Sequence, residues 1–225
     1  NSYGMFVSMY MNTKDDCLID IAVGAESSEQ VIVPDLMFTS VGAGENMQLF
    51  LPIFIPAASR IAVRGQADGV GRDIFFTAML LGKPFLPGMM LGSRLTAYGI
   101  NTGDSGGTQI DPGGTAHTKG SYVELDASSD HHHKGLLASF GMGQNASATA
   151  GSFLVDIAVG AATSEQVLIQ NLFVGVSSAL DHPAPVFCGP FPVSIPESTR
   201  LAVRAQSTIT DATDRLIDVA LYGLD

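Results

Sequence analysis

The sequence predicts an all-β protein: two tandem antiparallel β-sandwich domains, jelly-roll-like, joined by a Gly/Pro-rich connector. Three observations predict it. Short segments alternate apolar and polar residues with period two, turn-forming Gly, Pro, Asn and Asp separate them, and a long stretch of the chain is repeated. Leu18 to Val33 reads LIDIAVGAESSEQVIV and Leu154 to Ile169 reads LVDIAVGAATSEQVLI, eleven identities in sixteen positions at an offset of 136. IPAASRIAVRGQ (Ile55 to Gln66) answers IPESTRLAVRAQ (Ile195 to Gln206) at an offset of 140, so the duplication spans a folding unit.

Each strand rests on its own alternation. Ile19, Ile21 and Val23 share one face and Val155, Ile157 and Val159 do the same in the second copy, with Asp20 and Asp156 opposite. Ile61 and Val63 alternate with Ala62 and Arg64. Phe76, Ala78 and Leu80 correspond to Ile217, Val219 and Leu221, which alternate with Asp218 and Ala220. Strands of this length predict about eight per copy, each copy with its own core. Residues 83–120 are dense in Gly, Pro, Thr and Asp, which favours turns and extended loop over packed sheet. The expected division is therefore a first repeat over 1–82, a connector over 83–120 and a second repeat over 121–225. The second copy opens with SYVEL (Ser121 to Leu125), and the first is expected to lack its equivalent.

Composition excludes several classes. Eleven Lys and Arg against 22 Asp and Glu give a net charge of −11, which repels a phosphate backbone and argues against nucleic acid. The apolar runs are short and broken, so no stretch approaches the ~20 residues of a membrane helix, and no membrane insertion is expected. Cys17 and Cys188 occupy non-equivalent places in the repeats, which predicts small apolar residues rather than a disulfide or a metal pair.

Two motifs suggest chemistry. Gly103-Asp104-Ser105-Gly106-Gly107 spells the surroundings of a protease serine, but that chemistry needs a histidine base upstream, and all five histidines follow Ser105. A turn is the expected reading, and no catalytic residue or cofactor is assigned. In His131-His132-His133 only alternate residues share a face of an extended segment. A metal would need further ligands, for which His117 and His182 are the only other imidazoles. A polar turn leading into GLLASF is expected instead.

The charged residues that recur are of another kind. Asp20 matches Asp156, Glu29 matches Glu165, and Arg60 with Arg64 matches Arg200 with Arg204. Recurrence in both copies points to a structural job, a cross-strand ion pair worth about 0.2–1 kcal/mol, or to a subunit-contact surface that uses Arg60, Arg64, Arg200 and Arg204. A sugar platform is poorly served, since the chain has no Trp; Tyr98, Tyr122 and Tyr222 are the candidates, with Tyr222 expected at the rim of a core.

The connector SRLTAYGINTGDSGGTQIDPGGTAHTKGSYVELDAS, the shared DIAVGA and SEQV words, the IP...R.AVR.Q block and the ending ITDATDRLIDVALYG together resemble a repeated module of tailed-bacteriophage virion structural proteins. The resemblance covers nearly the whole chain. It implies a non-enzymatic protein on the particle exterior, a head decoration or a tail-fibre or baseplate component, that touches other virion proteins. Duplication suggests self-association, and a trimer would present six similar domains. The alternative is an adhesin that recognises a host surface glycan.

Overall fold

Met5, Val7, Met9 and Met11 fall on one face of a strand because every second side chain points the same way, and all four are buried. The same rule organises the whole chain. The computed structural model describes all residues except 13, 42–45, 68, 85–87, 89, 143–149, 177–182 and 210–215. The first repeat holds β1 (Ser2–Met11), β2 (Lys14–Val23), β3 (Gln30–Val41), β4 (Met47–Ile55), β5 (Ile61–Ala67) and β6 (Ile74–Leu80). Residues 83–120 hold β7 (Leu95–Tyr98), β8 (Ile100–Asn101) and β9 (Gly106–Ile110). The second repeat holds β10 (Val123–Asp126), β11 (Gly135–Gly141), β12 (Gly151–Val159), β13 (Gln166–Val176), β14 (Pro183–Ala184), β15 (Phe187–Phe191), β16 (Leu201–Ser207) and β17 (Ile217–Leu224).

These strands form four antiparallel sheets. Sheet I runs β4-β1-β6 and sheet II runs β3-β2-β5. Sheet III runs β15-β11-β17-β9-β8, with β7 also on β17, and sheet IV runs β10-β16-β12-β13-β14. The duplication is therefore structural as well as verbal. β1 lies between β4 and β6 as β11 lies between β15 and β17, and β2 lies between β3 and β5 as β12 lies between β13 and β16. Even the irregularities repeat: the β2–β3 ladder shifts register around Ile21 and the β12–β13 ladder around Ile157. At those bulges Asp35 and Asn171 take left-handed backbone angles, φ 44° and 56°, a conformation that Asp and Asn tolerate better than most residues.

Three expectations change. The first repeat has six described strands rather than about eight. Residues 83–120 do more than connect: Leu95–Tyr98 pairs with Leu221–Leu224 and Thr108–Ile110 pairs with Ile217–Val219, so β7 and β9 lie along one edge of β17. Glycine density concealed these strands because the glycines are where neighbours come closest; a Cβ on Gly107 would stand 2.9 Å from the Val219 carbonyl oxygen. Nor does each repeat close a core alone. Leu136, Ala138, Phe140, Val219 and Leu221 of sheet III pack with Phe153, Val155, Ile157 and Val203 of sheet IV. The other side of sheet III, with Leu95, Leu137, Ala220, Tyr222 and Leu224, joins the cluster built by Met5, Met9, Ile19, Ile21, Met37 and Leu51 of the first repeat. Every residue of β11 and β17 is buried in consequence.

Candidate functional site: an ion-paired sheet face present in both repeats

Asp20 and Asp156 sit mid-strand, one residue from core isoleucines, so alternation turns their carboxylates to the outer faces of sheets II and IV. There each does the same two things. Asp20 Oδ1 accepts from the bulged Asp35 N–H at 2.8 Å and Oδ2 accepts from Arg64 Nε at 2.5 Å. Asp156 Oδ1 accepts from the Asn171 N–H at 2.9 Å and Oδ2 accepts from Arg204 Nε at 3.0 Å. A second pair flanks each: Arg60 with Glu29 at 2.6 Å, and Arg200 with Glu165 at 3.1 Å. The repeated aspartate therefore caps the bulge that bends its sheet, besides pairing with arginine.

What differs is the cover. In the second repeat the backbone of residues 117–126 runs along β16, with the His117 N–H on the Ser207 carbonyl and the Gly120 N–H on the Ala205 carbonyl, both at 2.8 Å, before β10 completes the pairing. From this segment Lys119 Nζ donates to Asp156 Oδ1 at 2.7 Å and to the Leu154 carbonyl at 2.9 Å. Tyr122 lies under the Arg204 guanidinium at 4.5 Å, and Glu124 Oε2 accepts from Arg200 Nε at 2.6 Å. Burial acts most strongly on Asp156 and pushes its carboxyl up, but the hydrogen bonds from Lys119, the Asn171 N–H and Arg204 outweigh it and hold the group below the usual carboxylate range.

In the first repeat the described residues place no strand outside β5. Arg64 is 80% exposed against 31% for Arg204, and Arg60 49% against 15% for Arg200. Two adjoining grooves, of about 410 and 300 Å³, run over this face between Glu29, Arg60, Asp20, Arg64 and Gln66. Asp35, at their end, is raised above the ordinary carboxylate value by burial first and by the Asp20 charge second. The four arginines singled out in the sequence thus fall into two kinds: Arg200 and Arg204 engage their own chain's 119–124, whereas Arg60 and Arg64, paired with Glu29 and Asp20, have exposed outer sides among the described residues. Sequence reasoning missed Lys119, Tyr122 and Glu124 as the cover. The available signal was the stretch KGSYVE just ahead of the second copy.

A first prediction follows from the closed face. Asp156→Asn removes the charge that Lys119 and Arg204 share in a side chain 1% exposed, and is expected to cost about 2 kcal/mol in chemical denaturation. Asp20→Asn, whose arginine is mostly in water, should cost distinctly less.

The remaining sequence candidates resolve individually. Ser105 is buried in the β8–β9 turn with φ 60°, and its Oγ accepts from Gln66 Nε2 at 3.1 Å. His131 touches Arg94 and His132 bonds Ser194 Oγ at 3.0 Å. His133 is fully buried over Gly223, with Nδ1 on Asp225 Oδ1 and Nε2 on Tyr98 Oη, both at 2.6 Å. Tyr98 is buried, which chiefly pushes its hydroxyl up to about 12. Tyr222 is not at a rim: it is fully enclosed where the repeats meet. Cys17 is buried and Cys188 half-buried, and neither is in a disulfide. Among the described residues no group of three or more His, Cys, Asp or Glu is placed to hold a metal ion, and no helix is long and apolar enough to cross a membrane. His182 and residues 210–215 of the closing motif lie outside the described residues.

No protein family matches the chain, and no curated protein is similar to it. Several solved structures are matched, two of them as follows. One is a structure of PNGF-II, with a TM-score of 0.36 and 10% identity over all of this chain and 57% of that one. The other is the infectious bursal disease virus VP2 subviral particle, with a TM-score of 0.19 and 12% identity over all of this chain and 61% of that one. Likeness at these scores carries no argument about function.

Proposed function

We propose that this chain is a non-enzymatic structural protein on the exterior of a bacteriophage particle, a head decoration or a tail-fibre or baseplate component, that self-associates and meets other virion proteins. One observation carries the reading: the Asp20–Arg64 and Glu29–Arg60 face is built like the Asp156–Arg204 and Glu165–Arg200 face, and its two arginines are 80% and 49% exposed among the described residues. An exposed sheet face that carries paired arginines suits a contact with another protein. The recurring arginines serve there as anchors, and the acidic remainder of the surface keeps free chains apart until the contact forms.

The test is incorporation. Arg64→Glu reverses an exposed charge and should leave the thermal midpoint near that of the parent, because surface ion pairs contribute about 0–1 kcal/mol. Its occupancy on particles, measured by mass spectrometry of purified virions, is expected to fall about tenfold or more. Occupancy equal to the parent's would overturn the proposed contact. A cryo-EM map of the particle then separates capsid lattice from tail.

The adhesin alternative has one observation in its favour. Sheet I shows paired rings on its outer face, Tyr10 with Phe75 at 5.4 Å and Tyr3 with Phe54 at 5.7 Å, whereas Tyr98 and Tyr222 are buried. Pyranose rings stack on such surfaces. A glycan array read with the purified chain would show retention if this reading holds.

A further inference from the structure

The two repeats of one chain dock on each other, and among the described residues an exposed counterpart of each half is present. β3 of the first repeat rests its edge on the outer face of sheet III. The Met37 N–H donates to Tyr222 Oη at 2.7 Å, Tyr222 Oη donates to the Asp35 carbonyl at 2.9 Å, and Ser139 Oγ donates to the Met37 carbonyl at 2.7 Å. The Met37 side chain lies over Gly107 and Gly141. Leu36, Met37 and Phe38 are buried as a result.

Each half recurs. At the offset of 136, Leu172 and Phe173 of β13 stand where Leu36 and Met37 stand in β3: Phe173 pairs with Leu154 as Met37 pairs with Leu18. Phe173, however, is 59% exposed. On the receiving side, β1 carries Ser8 facing out of sheet I opposite Thr77, as β11 carries Ser139 facing out of sheet III opposite Ala220. The words agree, SMYM from Ser8 against SFGM from Ser139. Around Ser8 a groove of about 350 Å³ is lined by Phe6, Val7, Gln48, Thr77 and Met79, with Met79 58% exposed.

We infer that a second copy of this chain docks head to tail, laying β13 at Leu172 and Phe173, ahead of the Gly175–Val176 stretch that β14 pairs, on the outer face of sheet I, with Phe173 in the groove of Phe6, Ser8, Thr77 and Met79. The inference rests on the self-association reading above and names its interface. Every residue on both sides is uncharged, so this is a place where two chains of net charge −11 meet with little repulsion. Exposed apolar side chains grouped on one face are the usual mark of such a contact. Because donor edge and acceptor face differ, the contact is heterologous. It closes into a ring if the rotation permits and otherwise runs on as a filament. In either form, repeats alternate first, second, first, second along one continuous line of similar contacts, and a closed trimer places six in a ring.

The experiment uses the full chain and two exposed substitutions, Phe173→Asp and Met79→Asp, with circular dichroism confirming that both fold. By sedimentation velocity the parent is expected to form a closed or extended oligomer, and each variant to associate about tenfold more weakly or worse. Mixed one to one, the variants should form a heterodimer, since one retains the edge and the other the face. If the parent assembles and both variants match it, the interface is wrong and the self-association reading stands. If the variants are monomeric and stay so when mixed, the head-to-tail geometry is wrong. A parent that is monomeric up to millimolar concentration overturns both, and glycan retention lost on Met79→Asp would give this face to the adhesin reading.

Discussion

Tyr222→Ala is expected to lower the unfolding free energy by about 4 kcal/mol, followed by far-ultraviolet circular dichroism in urea because the chain has no Trp. The ring is fully buried between sheet III and β3, and its hydroxyl both accepts from the Met37 N–H and donates to the Asp35 carbonyl. Removing it opens a cavity where the repeats meet and strands two backbone groups away from water. Tyr222→Phe separates the two effects. It keeps the packing and loses only the hydroxyl, for an expected cost of about 1–3 kcal/mol. A Phe variant as stable as the parent would show that Met37 and Asp35 find other partners. Burial chiefly pushes this phenol well above its ordinary value, so the hydroxyl stays protonated throughout the accessible range.

Asp218→Asn is expected to stabilise the protein at pH 8 by about 3 kcal/mol while leaving its stability at pH 3 nearly unchanged. Asp218 is 2% exposed in β17, and burial first, with the Asp16 and Asp104 carboxylates adding to it, raises its carboxyl to about 7 against the hydrogen bond from the Gly107 N–H. The sign follows from which state holds the proton. Below the unfolded value both states hold it and nothing is lost. Between there and about 7 only the folded chain does, so stability falls as pH rises, and above that range the penalty is constant. Asp156 acts in the opposite sense, since its folded value is lowered. Its contribution is complete above the ordinary carboxylate range and is lost as pH falls through the folded value. Denaturant midpoints measured from pH 3 to 8 for the parent and for Asp218→Asn check both, the parent losing stability toward neutrality and the variant remaining flat there.

Much of the architecture was legible because antiparallel strands write their burial with period two. Ile19, Ile21 and Ile157 could be placed facing a core from alternation alone, whereas Val63, read in the same way, is 40% exposed on an edge strand, and the repeated DIAVGA and AVR words identified equivalent strands. The site was legible in part. Arg60, Arg64, Arg200 and Arg204 were visible as a recurring set, but the partner that distinguishes them, Lys119 with Tyr122 and Glu124, belongs to a segment whose composition reads as loop. The bulge role of Asp20 and Asp156 was hidden too. It depends on a backbone angle fifteen residues downstream, at Asp35 and Asn171, whose side chains differ in charge.

By itself the sequence determined the all-β class, the duplicated unit and the pairing of its repeated charges, since each is a local pattern or a comparison of the chain with itself. Only the tertiary structure decided that sheet III is buried on both faces, that β7 and β9 join it, and that residues 119–124 cover the ion-paired face of the second repeat. The physical reason is that these depend on contacts between residues far apart in the chain, such as Met37 with Tyr222 and Lys119 with Asp156. A strand covered on one side and a strand covered on both alternate alike, and only the neighbour tells them apart.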